Sequence, residues 1–520
     1  MGLSFSLAKG VAKITTTVLR AAGRTAGALP GKLACRIDPN ILEDLAPHMT
    51  EGSILVVATN GKTTVTNLLA DILEADGRTV ICNRGGANMT QGIVSVLLQS
   101  PASQWGVFET DELYLTQILP RLRSEYVLLM DIFPDQLDRM GSTGRLVRSI
   151  TAALESSPET TLIYNADDPN CRAVALAVPN PCIALGGAAR FQEDVVVLAA
   201  DAAVQTCPVC NRSLFYAWRQ YGPLGDYLCP ACGFSRGGNA TLDAAIEDVV
   251  VGTDECDWKI AFRGFGESNV LAETDELTVT ADVSDEVDVW SLAAPYGASY
   301  MVYNLTFAAT CAYLLDVDRD TVARAIEDFD PHNGRMEVLQ VGTHETLVNL
   351  AKNPVGFNQN IQLICKHREP CAVGFFVNNN VGDGLDSSWV SKVSFEALGD
   401  RVRDGSMWVF AGGMCREELL AALGERGVEA EGVDGAEEVL AAAEDLPANG
   451  HIFLIANYTA LPAVKAAAEA AKAAAEAAGV AGVVGGAEEA ADASAEAVRE
   501  AFSQASEAGA DEVDPTVATR

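Results

Sequence analysis

Basic residues are the scarce class in this chain. Lys and Arg number 36 against 71 Asp and Glu, a net charge of −35 over 520 residues. Most of such a surface repels a phosphate backbone, which argues against a nucleic-acid-binding protein. Histidine is rarer still, at five, and no His–Cys or Ser–His nucleophile system is legible. His344, His367 and His451 read as structural or solvated. No uncharged apolar run reaches the ~18 residues of a membrane-spanning helix. Residues 1–30 lack a compact apolar stretch with a cleavage site, so no signal peptide is expected. Disulfides are not expected either: nine of the 13 cysteines are scattered singly, a usage that suits a reducing cytosol with one metal site.

Apolar residues make up 49% and charged residues 21%. That composition supports a large packed core and excludes global disorder. The length suits about three domains. The first 30 residues carry scattered Lys and Arg, a composition suited to lying on a membrane surface. Their start, Met1-Gly2-Leu3-Ser4-Phe5-Ser6, matches a myristoylation pattern.

Short apolar strands alternate with helical stretches from Gly52 to about Asp318, at 53–58, 105–109, 126–130 and 161–165. Strands buried on both faces and separated by helices imply a mostly parallel sheet. The stretch 194–288 departs from this alternation and reads as an insertion or a subsidiary sheet. A Pro- and Gly-punctuated hinge follows at Asp328-Phe329-Asp330-Pro331-His332-Asn333-Gly334-Arg335. A second α/β unit is expected beyond it, with strands at 345–350, 371–377, 407–411 and 452–456. After Leu461 the composition collapses to Ala, Glu and Gly, which reads as solvated helix and disorder. The expected organisation is an N-terminal segment (1–50), a central domain (51–330), a C-terminal domain (335–461) and a low-complexity tail (462–520).

The sharpest motif is Ala58-Thr59-Asn60-Gly61-Lys62-Thr63-Thr64. It follows the apolar run Ile54-Leu55-Val56-Val57 and precedes a helical pattern at 65–74. A strand, a tight loop and a helix start offer backbone N–H groups and a positive dipole end to a polyphosphate. Lys62 is placed to reach the β- and γ-phosphates, and the Thr63 hydroxyl to hold Mg²⁺. ATP binding is therefore expected. Glu109-Thr110-Asp111-Glu112 ends a strand on the loop side of the sheet, where carboxylates can hold Mg²⁺ directly or through water. Asp131-Ile132-Phe133-Pro134-Asp135-Gln136-Leu137-Asp138-Arg139 and Asn165-Ala166-Asp167-Asp168-Pro169 follow further strands. The three clusters are expected to share one crevice.

Cys207-Pro208-Val209-Cys210 and Cys229-Pro230-Ala231-Cys232 are two knuckles able to bring four thiolates to one Zn²⁺. A filled four-cysteine shell leaves no open position, so the expected role is structural.

Together, the phosphate loop, Asn83-Arg84-Gly85-Gly86-Ala87-Asn88-Met89, the Glu-x-Asp-Glu cluster, the Asp-Gln-Leu-Asp-Arg stretch and Asn-Ala-Asp-Asp-Pro resemble the Mur ligases. The cysteine ribbon, the stretch from Asn349 to Gln359 and Ile455-Ala456-Asn457-Tyr458-Thr459-Ala460-Leu461 narrow this to the MurT branch. The resemblance spans about residues 30–461. It implies a Mur-ligase-like central P-loop domain with a parallel sheet and a zinc-ribbon insertion, followed by a C-terminal α/β domain. It also implies the synthetase subunit of a heterodimer with a GatD-type glutaminase, cytoplasmic and at the inner face of the membrane, in peptidoglycan synthesis. There, ATP would phosphorylate the D-Glu α-carboxylate in the lipid II stem peptide, and ammonia from the partner would displace the phosphate to give D-isoglutamine.

Carried over by position, Asn60, Gly61, Lys62, Thr63, Thr64 and Asn304 would line the nucleotide site. Glu109 would hold Mg²⁺ with Thr63, and Arg335 would reach the phosphates from the C-terminal domain. An Asp in the loop 378–389 would orient the partner's catalytic His, Asp386 being the first choice and Asp383 the second.

The sequence departs from the family pattern at Ala58, Pro134, Asn379, Leu385 and Ser391-Lys392, where Gly, Arg, Asp, Arg and an aromatic-acid pair are usual. Two competing readings follow: an amino-acid-adding Mur-like ligase, or a nucleotide-binding scaffold with lost or altered chemistry.

Overall fold

The computed structural model describes residues 3–22, 27–134, 142–193, 198, 204–263, 287–331 and 334–484. Asp135-Gln136-Leu137-Asp138-Arg139, His332-Asn333 of the expected hinge and the tail beyond residue 484 lie outside the described residues. The chain divides into two units. One comprises Met1–Asp194 and Asp201–Pro331, the other Val195–Ala200 and His332–Arg520.

In the first unit the apolar runs form β1 (Met49–Val57), β2 (Val80–Cys82), β3 (Ser103–Glu109), β4 (Tyr126–Leu129), β5 (Thr161–Asn165) and β6 (Cys182–Gly187). Ile54 to Val57 are fully buried, as a strand covered on both faces requires. The chain continues through β7 (Gln192–Glu193), β8 (Phe215–Arg219), β9 (Gly225–Leu228), β10 (Ala244–Val251), β11 (Cys256–Arg263) and β12 (Val287–Ala294). The main sheet runs β12-β11-β10-β6-β5-β4-β1-β3-β2, with β7 beside β10. It is parallel from β2 to β10 and antiparallel across β10, β11 and β12.

This corrects the reading of 194–288 as a separate insertion. β10, β11 and β12 extend the main sheet, and among the described residues of this stretch only the hairpin β8–β9 stands apart. Their alternating burial is that of an antiparallel edge with one solvated face. Three N-terminal helices, α1 (Leu3–Ala21), α2 (Leu29–Ile37) and α3 (Ile41–Leu45), pack on this unit. Helix α4 (Lys62–Ala75) follows β1, and α5 (Thr90–Gln99) precedes β3. β1 lies between β4 and β3, so the chain leaves it toward one side and returns on the other. That is a topological switch point, where a doubly wound sheet opens a crevice at its strand C-termini.

The second unit carries β13 (Glu337–Val341), β14 (His344–Leu350), β15 (Cys371–Phe376), β16 (Met407–Gly412), β17 (Glu431–Gly432) and β18 (His451–Ala456). Its order is β13-β14-β18-β15-β16-β17, parallel except for β13–β14. The segment expected to be solvated beyond Leu461 begins inside this core. The helix Leu461–Val484 buries Leu461, Val464, Ala467 and Ala468 against Val348, Leu454 and Leu440. Alanines at helical spacing allow close approach, so packing continues where large side chains stop. Lys465 pairs with Glu337 at 2.7 Å.

Val464→Asp places a carboxylate in that core and is expected to destabilise the second unit by ~3 kcal/mol or more in denaturant unfolding. A change within about 0.5 kcal/mol, as on a surface, would return the helix to the solvated tail.

Candidate nucleotide site and cysteine cluster

Ala58-Thr59-Asn60-Gly61 joins β1 to α4. Gly61 sits at φ +80°, and a Cβ there would lie 2.4 Å from Asn304 Oδ1 and 2.9 Å from Met130 Cε. Only glycine fits. Ala58 lies outside the left-handed region, so its methyl is accommodated. Asn304, on the helix Ser299–Leu314, therefore abuts the loop at its tightest point. The first turn of α4 points its N–H groups and positive dipole end toward the strand C-termini.

The Glu109-Thr110-Asp111-Glu112 cluster divides its labour. Glu109 Oε2 accepts from Thr63 Oγ1 at 2.5 Å, while its Oε1 accepts from Asn88 Nδ2 at 2.9 Å. The Asn83 side chain holds the Glu109 backbone at both N–H and C=O. Glu112 pairs with Lys62 Nζ at 3.4 Å, both nearly fully buried, and Lys62 also donates to Ala58 O. Asp111 instead holds its own turn, accepting from Leu113 N. Thr63 and Glu109 thus offer adjacent oxygens of the hard type that Mg²⁺ takes. Gly86 backs them, and a Cβ there would come 3.3 Å from Glu109 Oε2. The donor set and the space fit that ion.

In the other two acidic clusters, Asp131 and Asp168 act on the backbone, while Asp167 takes two side-chain donors as well. Asp131 Oδ1 accepts from the N–H groups of Thr59 and Asn60, at 2.8 and 3.0 Å. Asp168 Oδ2 accepts from Ile132 N at 2.8 Å, and its Oδ1 caps the helix Pro169–Ala177. Asp167 accepts from Arg236 Nη1 (2.9 Å), Gly187 N (2.7 Å) and Tyr303 Oη (2.7 Å). Burial pushes Asp131 up to about 8 despite the Asn60 N–H. Burial likewise raises Asp167 and Asp168 to about 6, against the Arg236 charge and the Ile132 N–H respectively. Asp131 feels the charges of Lys62, Glu112 and Asp168, so carboxylates of the three clusters do gather at the loop, and those of the second and third brace it. The cue available in the sequence was only that each carboxylate directly follows a strand.

The two cysteine knuckles are built alike. Asn211 N donates to Cys207 O and Gly233 N to Cys229 O, each at 2.9 Å. Cys207 N donates to Arg212 O and Cys229 N to Phe234 O, each at 2.7 Å. Asn211 and Gly233 take the matching positive φ of 57° and 77°. All four Sγ atoms lie within 4.8 Å of one another. The Cys207–Cys232 and Cys210–Cys229 pairs stand at 3.7 and 3.5 Å, against ~3.8 Å for thiolates at tetrahedral Zn–S distances of about 2.3 Å. The residues present fit a zinc ion.

In the second unit, Arg335 occupies a sharp turn between Gly334 (φ 67°) and Met336 (φ 48°) leading into β13. Glu337 holds Gly334 N, and Asn349 holds Met336 N. Asp383 is buried and clamped onto Thr459, so it is committed to the loop. Asp386 is exposed and accepts from Ser388 N at 2.9 Å, an Asx turn that, with the Ser388 hydroxyl and Lys392, holds its carboxyl below the usual range. Val381, Leu385 and Met414 are exposed around the same strand-end loops.

Two family profiles match the chain, one described as Mur ligase middle domain at residues 57–196 and one as MurT ligase C-terminal at 350–461. The lipid II isoglutaminyl synthase (glutamine-hydrolyzing) subunit MurT of Staphylococcus aureus is 27% identical over 453 residues, covering 87% of this chain and 94% of that protein. Its Streptococcus pneumoniae counterpart is 28% identical over 469 residues, covering 89% and 96%. Among solved structures, a pseudomurein peptide ligase type C from Methanothermus fervidus aligns with a TM-score of 0.58 at 18% identity, covering 82% and 80%. MurF ligase from Thermotoga maritima, solved in complex with ADP, aligns at 0.56 and 13% identity, covering 84% and 83%. These two likenesses establish the Mur-ligase-like α/β fold.

Asp131→Asn keeps an oxygen for the N–H groups of Thr59 and Asn60 without a charge, and is expected to bind ADP within about twofold of wild type. Asp131→Ala removes the carboxyl oxygen that both N–H groups use and leaves Thr59 N only its longer bond to the Asp131 carbonyl at 3.2 Å, at a loss of about 1–3 kcal/mol in stability or a comparable loss in binding. Calorimetric titration and melting decide it. An Asn variant as impaired as the Ala variant would mean that the carboxylate charge itself is used.

Proposed function

Because the chain belongs to the MurT-type branch of the Mur ligase family and is a ligase forming carbon–nitrogen bonds, we propose that it amidates the D-Glu α-carboxylate of the lipid II stem peptide. The observation that carries this reading is the Lys62–Glu112 and Thr63–Glu109 pairing at the phosphate loop. It supports an ATP site with a place for Mg²⁺.

Lys62 holds the γ-phosphate as the transferred group moves. Thr63 and Glu109 would hold Mg²⁺, which when bound neutralises phosphate charge. Asn60, Gly61, Thr64 and Asn304 shape the nucleotide pocket. A carboxylate oxygen of the substrate attacks the γ-phosphorus, the bond to the β-phosphate oxygen breaks, and ADP leaves. The ammonia lone pair then attacks the acyl carbon, the C–O bond to phosphate breaks, and the ammonium formed loses a proton. A carboxylate alone resists an amine; phosphate as leaving group divides one hard step into two. Arg335 suits a phosphate contact by its planar fork.

We assign the four cysteines to structural zinc within a central domain 51–330, and the partner surface to the C-terminal domain 335–461. The exposed Asp386 with Val381, Leu385 and Met414 supports docking of a GatD-type glutaminase that supplies ammonia. There Asp386 would orient the partner's histidine and stabilise its imidazolium. The reading places the protein at the cytoplasmic membrane face, where a lipid-carried substrate presents its peptide.

The test is amide formation on lipid II with ATP and ammonium, read by mass. Product is expected from the wild type and none from Lys62→Ala. Asp386→Ala should retain ammonium-driven product but lose that driven by glutamine and partner. Product only with an added amino acid would replace amidation by ligation, and ADP release without product would leave the scaffold reading. Metal analysis should give one zinc per chain, lost in Cys210→Ser/Cys232→Ser with a lowered melting temperature; wild-type protein without zinc would refute the zinc assignment.

A further inference from the structure

Helix α1 has two apolar faces, and among the described residues only one is covered. Phe5, Ala8, Ala12 and Thr16 are buried against the rest of the first unit. Leu3, Leu7, Ile14 and Val18 are 91, 57, 66 and 61% exposed. At ~3.6 residues per turn these four positions fall within an arc of roughly 60°, opposite the buried set. Lys9, Lys13 and Arg20 fall together on one flank of that stripe by the same periodicity. Arg20 donates to Gln99 on α5 at 3.1 Å, and the buried face of Phe5, Ala8, Ala12 and Thr16 sets the helix rotation.

Charge separates this region from the rest of the molecule. Residues 1–37 hold Lys9, Lys13, Arg20, Arg24, Lys32 and Arg36 and no Asp or Glu, in a chain whose net charge is −35. An isolated basic apolar stripe on an acidic protein is complementary to a surface that is apolar below and anionic above. No helix among the described residues is long and apolar enough to cross a membrane. We propose that α1 lies in the interface of an anionic lipid bilayer, its Leu3–Leu7–Ile14–Val18 stripe among the acyl chains and its Lys9–Lys13 flank at the headgroups.

This deepens the membrane-face placement proposed above by naming the element that makes the contact. It is tested without substrate, so its failure leaves the ligase reading standing. The full-length chain is sedimented with vesicles of phosphatidylglycerol and phosphatidylcholine at equal parts, and with phosphatidylcholine alone. Binding to the anionic vesicles is expected, at least tenfold weaker on the neutral ones and weakened by salt. Leu7→Glu/Ile14→Glu should lower anionic-vesicle binding at least tenfold with ADP affinity and melting temperature unchanged, since both side chains face solvent. Lys9→Glu/Lys13→Glu should abolish the preference for anionic lipid. Wild-type protein that ignores the vesicles, or a Leu7→Glu/Ile14→Glu variant that binds as well as wild type, overturns the proposal. Vesicle-independent dimerisation that the same variant removes would give the stripe to a second copy of the chain and overturn it equally.

Discussion

The phosphate loop is held by a closed circuit of buried polar contacts, and the geometry of the nucleotide site depends on it. Thr59 and Asn60 are gripped by Asp131 at the end of β4. The next residue, Ile132, is gripped by Asp168 after β5. Its neighbour Asp167 takes the hydroxyl of Tyr303, and Asn304 beside Tyr303 presses against Gly61. The circuit thus returns to the loop it left. Apart from the half-buried Asn60, these contacts are shielded from water, so they are stronger than at a surface, and a broken one leaves a buried group unsatisfied. A loop that must offer backbone N–H groups to a polyphosphate cannot brace itself from within. Its neighbours do so through strand-end carboxylates.

That circuit also marks where sequence reasoning stops. The phosphate loop was legible because strand, turn and helix start are consecutive residues whose chemistry is local. The parallel core strands were legible for a similar reason, since burial on both faces leaves continuous apolar runs. Asp167 and Asp168 were legible only as an acidic pair after a strand. Their opposite assignments, one to Arg236 and Tyr303 and the other to Ile132, depend on segments up to 136 residues away. The same limit explains the edge strands β10, β11 and β12. Their alternating pattern fits a separate sheet as well as an antiparallel extension, and only pairing with β6 decides. In the helix Leu461–Val484, a low-complexity run of alanines concealed a packed face because alanine carries no hydrophobic signature of size.

The departures from the usual Mur-type residues divide by what the surrounding structure asks of each position. Ala58 is harmless because its backbone is not left-handed. In the Asn378-Asn379-Asn380 run the outer two carry the fold: Asn378 holds Met414 N, and both donate to Thr459 Oγ1. Asn379, where Asp is usual, stands between these anchors. Leu385 is exposed beside Asp386, so the exchange of Arg for Leu alters surface chemistry and leaves packing alone. Any effect of that change would fall on what docks there.

The cysteine ribbon gains a reason for its place in a nucleotide-binding domain from the same circuit. Its hairpin is stitched to the end of β5: Gly225 N donates to Asp167 O, and Tyr227 Oη donates to Ala166 O at 3.0 Å. Arg236, four residues past Cys232, then reaches the Asp167 carboxylate. A buried carboxyl pushed upward by desolvation needs a fixed cation nearby, and a guanidinium on a loose loop would not stay. Arg236 is fixed there by Asp167, Gly187 O and Asn239 Oδ1 and lies over the Trp218 ring, with the small core of Leu214, Tyr227 and Phe234 around the cysteines beside it. Four thiolates closed on one ion would add rigidity to the segment that carries this arginine. The metal would thus stand far from any reacting atom in its chemistry, yet one hydrogen-bonded chain from the loop that binds the phosphates.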